Sequence, residues 1–200
     1  MTGVVLAGGR SARMGTNKAL LQFDGVRIIE RLLGAIRPLF EETAIVANDA
    51  EAYADLGVPV WPDRIPGKGA LGGIYTAVSR SASPRVFCIA CDMPFPSQAV
   101  ITYLRDQAAG YDAVVPRTAD GYHPLHAVYG KGCLPAMEAM IRDGALRVDR
   151  LFPLVRFRTV GENELRSLDP SLLSLVNVNT WEDLEAATLL AGRQEGRMQK

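Results

Sequence analysis

Short apolar runs alternate with amphipathic stretches along most of the chain. Continuous apolar runs predict buried strands, whereas apolar positions spaced three and four apart predict helices. The strands are predicted at 4–7, 43–48, 58–63, 85–94, 111–116, 123–130 and 155–160. The helices are predicted within 26–40, 69–81, 96–108, 134–144 and 180–192. This alternation predicts an α/β fold with a mostly parallel central sheet.

Composition narrows the class of protein. Hydrophobic residues make up 48% and charged residues 22% of the 200 positions, as in globular domains. We expect a single domain over residues 1–192 and a frayed tail over 193–200. Lysine plus arginine equals aspartate plus glutamate at 22 each, so there is no overall basic field for nucleic acid. No apolar run is long enough to span a membrane, and we expect a cytoplasmic location.

The cysteines and histidines supply no obvious catalytic pair. Cys88 and Cys91 form a C-x-x-C within a predicted strand, where residues three apart point to opposite faces. We therefore interpret them as buried thiols rather than as a redox pair. His123 and His126 are also predicted to share a strand and to point to opposite faces, so at most one would face a site.

A loop rich in glycine and basic residues follows the first predicted strand, in the stretch GVVLAGGRSARMGTNKALL. Gly8 and Gly9 are adjacent, which differs from both the dinucleotide fingerprint and the Walker spacing. Exposed backbone N–H groups beside Arg13 and Lys18 suit a polyphosphate. A simple glycine turn is the alternative interpretation.

Polar residues follow three other predicted strands. Asn48, Asp63 and Asp92 lie at or just past strand ends, as the Gly8–Gly9 loop does. In parallel sheets this edge is where ligands bind. Asp92 suits Mg²⁺ when phosphates are present, although a helix cap or a turn is the alternative. Turns are likewise the alternative for the other two.

Taken together, these motifs resemble the molybdenum cofactor guanylyltransferases, which are nucleotidyltransferases with a three-layer, Rossmann-like fold. The resemblance extends over nearly the whole chain. The segments that carry it are LAGGRSARMGTNK, PD, GALGGI, CDMPF, HPLHAVY and NVNTWEDL.

The resemblance implies roles for particular residues. The implied nucleotide-binding set is Leu6, Ala7, Gly8, Gly9, Lys18, Asn48, Asp63 and Asp92. Arg13, Lys18 and Asp92 would be catalytic, with the two cations holding the triphosphate and Asp92 binding Mg²⁺, the implied cofactor. On the acceptor side the resemblance implies His123, Asn177 and Asn179, of which Asn179 could instead cap the last helix.

The implied substrates are GTP and molybdenum-bound molybdopterin. Their reaction forms a pterin guanine dinucleotide and releases pyrophosphate. Pterin-delivering and molybdoenzyme-maturation proteins are candidate partners. A cytidylyltransferase acting on the same pterin, or a sugar- or alditol-phosphate nucleotidyltransferase, is one alternative, since it would share Lys18 and Asp92. A non-catalytic nucleotide-binding module is a second alternative, which the presence of both residues disfavours.

Overall fold

The computed structural model describes residues 1–8, 18–23, 25–180, 182–183, 185–186 and 188–189. The strands are β1 (Thr2–Leu6), β2 (Gln22–Phe23), β3 (Val26–Arg27), β4 (Glu42–Val46), β5 (Val60–Trp61), β6 (Arg85–Ala90), β7 (Ala113–Thr118), β8 (Gly121–Tyr122), β9 (His126–Gly130) and β10 (Phe157–Gly161). The α-helices are α1 (Ile28–Ile36), α2 (Gly69–Arg80), α3 (Gln98–Asp106), α4 (Leu134–Arg142) and α5 (Glu162–Arg166). Short 3₁₀ helices occur at Lys18–Leu20, Arg37–Leu39, Glu51–Leu56, Lys131–Cys133, Val148–Leu154 and Leu173–Leu175.

The main sheet is mostly parallel, as the sequence predicts. Its strands run in the order β10-β7-β9-β6-β1-β4-β5, and β8 pairs with β7. The antiparallel members are β9, between β6 and β7, and β8. Only a few residues connect β7, β8 and β9, too few for the crossover that parallel strands need.

Helices cover both faces of this sheet, which confirms the three-layer prediction. Along β1 the side chains alternate between the layers: Val5 packs with the core of α1 and α3, whereas Val4 and Leu6 pack with that of α2 and α4. The apolar stripe of α1 that the sequence predicts is buried: Ile28, Ile29, Leu32, Leu33 and Ile36. None of the helices within the described residues combines the length and the apolar character that crossing a bilayer requires.

Several predicted strands are shorter than the runs that predict them, and two of these differences move candidate residues out of a strand. The strand expected at 123–130 begins only at His126, because the His126 N–H donates to the carbonyl of His123 at 3.1 Å and closes a turn. The expectation that both histidines lie in one strand is therefore wrong. The strand expected at 85–94 ends at Ala90, so Cys91 lies beyond it. All three cysteines are free, as expected, and Cys88 is buried.

Several predictions fall on residues outside those described. These include Gly9 and Arg13 in the N-terminal loop, much of the helix expected at 180–192, and the tail at 193–200. At the start of that last helix Thr180 acts as the cap, because its hydroxyl accepts the N–H of Asp183 at 3.1 Å.

Candidate functional site

Neighbouring parallel strands end at one level. Leu6 at the end of β1 pairs with Val46 of β4 and with Ala90 of β6. Val46 in turn pairs with Trp61 of β5. The residues two positions beyond these ends are glycine or polar: Gly8, Asn48, Asp63 and Asp92. The structure thus brings together at one edge the residues that sequence reasoning placed there.

A cleft of about 180 Å³ opens at this edge. Six members of the predicted nucleotide-binding set line it: Leu6, Ala7, Gly8, Lys18, Asp63 and Asp92. Asn48 is exposed beside the cleft and pairs with Asp63: its amide donates to Oδ2 at 2.9 Å, and its Oδ1 accepts the Asp63 N–H at 2.9 Å. Asn48 therefore fixes the orientation of the Asp63 carboxylate.

Asp92 presents a carboxylate oxygen that has no hydrogen-bond partner among the described residues. Its Oδ1 is buried and accepts no hydrogen bond from any described residue. Burial raises the pKa of Asp92, and the positive charge of Lys18 opposes that shift. A buried carboxylate without a partner is costly, and a cation removes that cost. Ser97, not Asp92, caps α3 by accepting the N–H of Val100, so the helix-cap alternative is excluded for Asp92.

The surroundings of Asp92 fit Mg²⁺ better than a metal held wholly by protein. No group of three or more His, Cys, Asp or Glu side chains suited to a metal occurs within the described part of the chain. Mg²⁺ commonly binds through one or two carboxylates and takes its other ligands from phosphates and water. The neighbouring Cys91 does not suit this ion, because Mg²⁺ prefers oxygen ligands; burial raises the pKa of the Cys91 thiol to about 12.

Lys18 links this edge to the C-terminal segment. Its Nζ donates to Oδ1 of Asn179 at 2.9 Å and approaches the carbonyl of Val178 at 3.4 Å. Thr180 rather than Asn179 caps the following residues, so the alternative role of Asn179 as a helix cap is wrong. Asn177 is exposed two positions earlier in the same segment.

The first turn of α2, which lies in the GALGGI segment of the resemblance, faces the cleft. Gly69 and Ala70 in this turn line the cleft, and no side chain caps the helix at Lys68. The free N–H groups and the helix dipole favour an anion there. The absence of Ser, Thr, Asp or Asn immediately before the GALGG segment is the sequence signal of this start without a capping side chain.

Gly8 has no local structural reason to be glycine. A Cβ placed on it would meet only the carbonyl of Val46, at an ordinary 3.9 Å, among the described residues. The residue is nevertheless exposed at the mouth of the cleft. A bare backbone at such a position is what close approach by a ligand requires.

Neither histidine is among the described residues that line the cleft. His126 is fully buried, with its ring edge-on to Phe87 at 5.3 Å between centroids. Burial lowers its pKa to about 3. His123 is half-buried and its Nε2 bonds with the Thr118 hydroxyl at 2.9 Å. It is Leu125, between the two, that lines the cleft.

Comparisons with known proteins agree with this geometry. The family model of the MobA-like NTP transferase domain matches residues 3–153. A probable molybdenum cofactor guanylyltransferase from Pelotomaculum thermopropionicum is 42% identical, over 95% of this chain and 93% of its own length. A molybdenum cofactor guanylyltransferase from Desulfosudis oleivorans is 36% identical, over 96% and 98%. Molybdopterin-guanine dinucleotide biosynthesis protein A from Archaeoglobus fulgidus superimposes with a TM-score of 0.83 at 28% identity, over 96% of this chain and 100% of its own.

Proposed function

This chain belongs to the molybdenum cofactor guanylyltransferases and carries their MobA-like NTP transferase domain, and we propose that it transfers GMP from GTP to the terminal phosphate of molybdenum-bound molybdopterin. In this reaction an oxygen of the acceptor phosphate bonds to the α-phosphorus of GTP. The bond from that phosphorus to the bridging oxygen breaks, and pyrophosphate leaves with the electron pair. The product is the pterin guanine dinucleotide.

The single observation that carries this proposal is Oδ1 of Asp92, which is buried in the same cleft as Lys18 and has no partner within the described part of the chain. A carboxylate and an ammonium group at the end of parallel strands suit a metal-bound triphosphate. Asp92 would hold Mg²⁺, which when bound would offset charge on the phosphate oxygens. Lys18 would bind the same triphosphate, together with the free N–H groups at the start of α2.

The acceptor phosphate needs to be positioned by the protein but does not need to be activated by it. A phosphate nucleophile is already ionised at neutral pH, so no general base is required, and positioning supplies most of the rate. This agrees with the burial of His126 and with the bond that His123 makes to Thr118 rather than to a carboxylate. Asn177 and His123 remain candidates for contact with the pterin side.

The test is pyrophosphate release by the purified full-length protein with Mg²⁺ and molybdenum-loaded molybdopterin. We expect release with GTP, dependent on the acceptor, and little with CTP. Equal or greater release with CTP would contradict guanine specificity and favour the cytidylyl alternative. Nucleotide binding without release from either nucleotide would contradict transfer to this acceptor.

A further inference from the structure

The C-terminal segment holds the cleft lysine in place. Lys18 lies in the 3₁₀ helix after the N-terminal loop, yet it bonds to two groups 160 and 161 residues further along the chain: the carbonyl of Val178 at 3.4 Å and Oδ1 of Asn179 at 2.9 Å. The position of the ammonium group therefore depends on how firmly residues 178 and 179 are held.

Val178 is anchored directly to the site. Its N–H donates to the backbone carbonyl of Asp92 at 2.7 Å, and its side chain is buried against Leu173. This bond holds the segment on the Asp92 side. It does nothing for the exposed side chain of Asn179, which points towards Lys18 and needs a separate support.

Asp183 supplies that second support. Its Oδ2 accepts the N–H of Asn179 at 2.8 Å and the N–H of Thr180 at 2.9 Å. Its own N–H returns a bond to the Thr180 hydroxyl at 3.1 Å, which completes a reciprocal capping arrangement. The bond from the Asn179 N–H is the main reason that the pKa of Asp183 is lowered, and the charge of Lys18 adds to that effect.

We propose that Asp183 is a positioning residue of the transfer site: its carboxylate fixes the backbone of Asn179, so that the Asn179 amide oxygen holds Lys18 beside Asp92. Asp183 does not touch the nucleotide in this scheme and acts through Asn179. The assignment rests on the proposed function, because it concerns the lysine proposed to bind the triphosphate. Part of the evidence, however, can be obtained on the protein without substrate.

The first experiment measures how fast cyanate carbamoylates Lys18 in the full-length, substrate-free protein, by mass spectrometry. We expect Asp183→Ala to raise this rate at least about threefold, since an exposed hydrogen bond to a charged group is lost. Asn179→Ala should raise it equally, and the double variant should be no faster than either single one. Asp183→Asn keeps an acceptor oxygen of the same shape and should restore a rate close to wild type.

The controls separate positioning from general loosening of the fold. Glu182→Ala removes the same charge one residue earlier and should leave the Lys18 rate unchanged. Lys131, which lies at the opposite end of the sheet, should react at the wild-type rate in every variant. An unchanged Lys18 rate in Asp183→Ala, or additive effects in the double variant, would overturn the proposal.

Kinetics then connect the geometry to the reaction. Asp183→Ala should lower kcat/KM for GTP by roughly tenfold, with Asp183→Asn again close to wild type. An undiminished kcat/KM would overturn the role of Asp183 in transfer. A wild-type protein that releases no pyrophosphate would contradict the proposed function instead, and the carbamoylation rates would still decide whether Asp183 positions Lys18.

Discussion

At the amino end of the central sheet polar side chains bond to one another, whereas at the carboxyl end Asp92 keeps an oxygen without a partner among the described residues. At the amino end the Thr2 hydroxyl bonds to Ser81 at 2.8 Å and to Glu42 at 2.9 Å. Lys131 donates to the carbonyls of Val78 and Ser81, at 2.6 and 2.7 Å, where α2 finishes. These bonds satisfy groups that burial would otherwise leave costly.

At the carboxyl end of the sheet, Oδ1 of Asp92 lacks such hydrogen bonds among the described residues. The Asp92 carboxylate is partly buried, its pKa is raised by that burial, and the start of α2 above it carries no capping side chain. A buried anion without a partner destabilises a protein by itself. In the proposed function, a bound cation would remove that cost, and phosphate oxygens would accept from the first N–H groups of α2. The polar groups at the amino end of the sheet therefore contribute to stability, and those at the carboxyl end are the ones that we propose for function.

The comparison predicts its largest effect for the variant Asp92→Asn, on catalytic efficiency. We expect kcat/KM to fall on the order of a thousandfold, because the proposed metal ligand is lost. The midpoint of thermal unfolding without metal should equal or exceed that of the wild type, since a buried charge is removed. Pyrophosphate release and calorimetry measure the two quantities. The exposed Asp143→Asn is the matched control, and near-normal activity in Asp92→Asn would refute the metal role.

Lys131→Met tests the opposite end. The variant keeps the length of the side chain but loses both bonds to the end of α2, and we expect about 2 kcal/mol less stability in urea unfolding. Pyrophosphate release at a temperature where the variant is folded should match the wild type. A stability within about 0.5 kcal/mol of wild type would show that these bonds are replaced by water.

Thr2→Val is a smaller test of the amino end. The change preserves shape but removes the hydroxyl that bonds to Ser81 and Glu42, so we expect a loss of about 1 kcal/mol. Thr43→Val on the neighbouring strand provides the same chemical change as a control. If the two variants lose the same free energy of unfolding, the bonds of the Thr2 hydroxyl are not the cause of the loss in Thr2→Val.

The variant His126→Leu tests whether a buried polar group without a partner always belongs to the functional site. Neither ring nitrogen of His126 has a partner among the described residues, and burial lowers its pKa to about 3. Because the unfolded histidine titrates near 6.5, only the unfolded state gains a proton as the pH falls below that value, and stability is lost towards pH 3. At pH 7 the variant should be about as stable and as active as the wild type.

The pH dependence gives the decisive measurement for His126. Between pH 7 and pH 5 the variant should gain about 2 kcal/mol in unfolding free energy relative to the wild type. Urea unfolding at the two pH values measures this difference. An unchanged difference would mean that the folded protein accommodates the charged imidazole, and a loss of transferase activity would place His126 in the site after all.

Sequence reasoning succeeded where a pattern is local. The buried stripe of α1 follows from the spacing of apolar residues within one segment. It failed where partners come from elsewhere in the chain. The turn that starts β9 late at His126, and the placing of Asn179 against Lys18 rather than at a helix cap, depend on contacts that no short segment contains.

By itself, the sequence determined the alternation of strands and helices, the mostly parallel sheet and the set of strand ends that carry Gly8, Asn48, Asp63 and Asp92, because periodicity and turn chemistry act over a few residues. Only the tertiary structure decided that these ends lie in register, that α2 begins beside them without a capping side chain, and that an oxygen of Asp92 has no partner among the described residues. Strand register and side-chain burial depend on contacts between residues that are distant in sequence, and these contacts form only when the layers pack together.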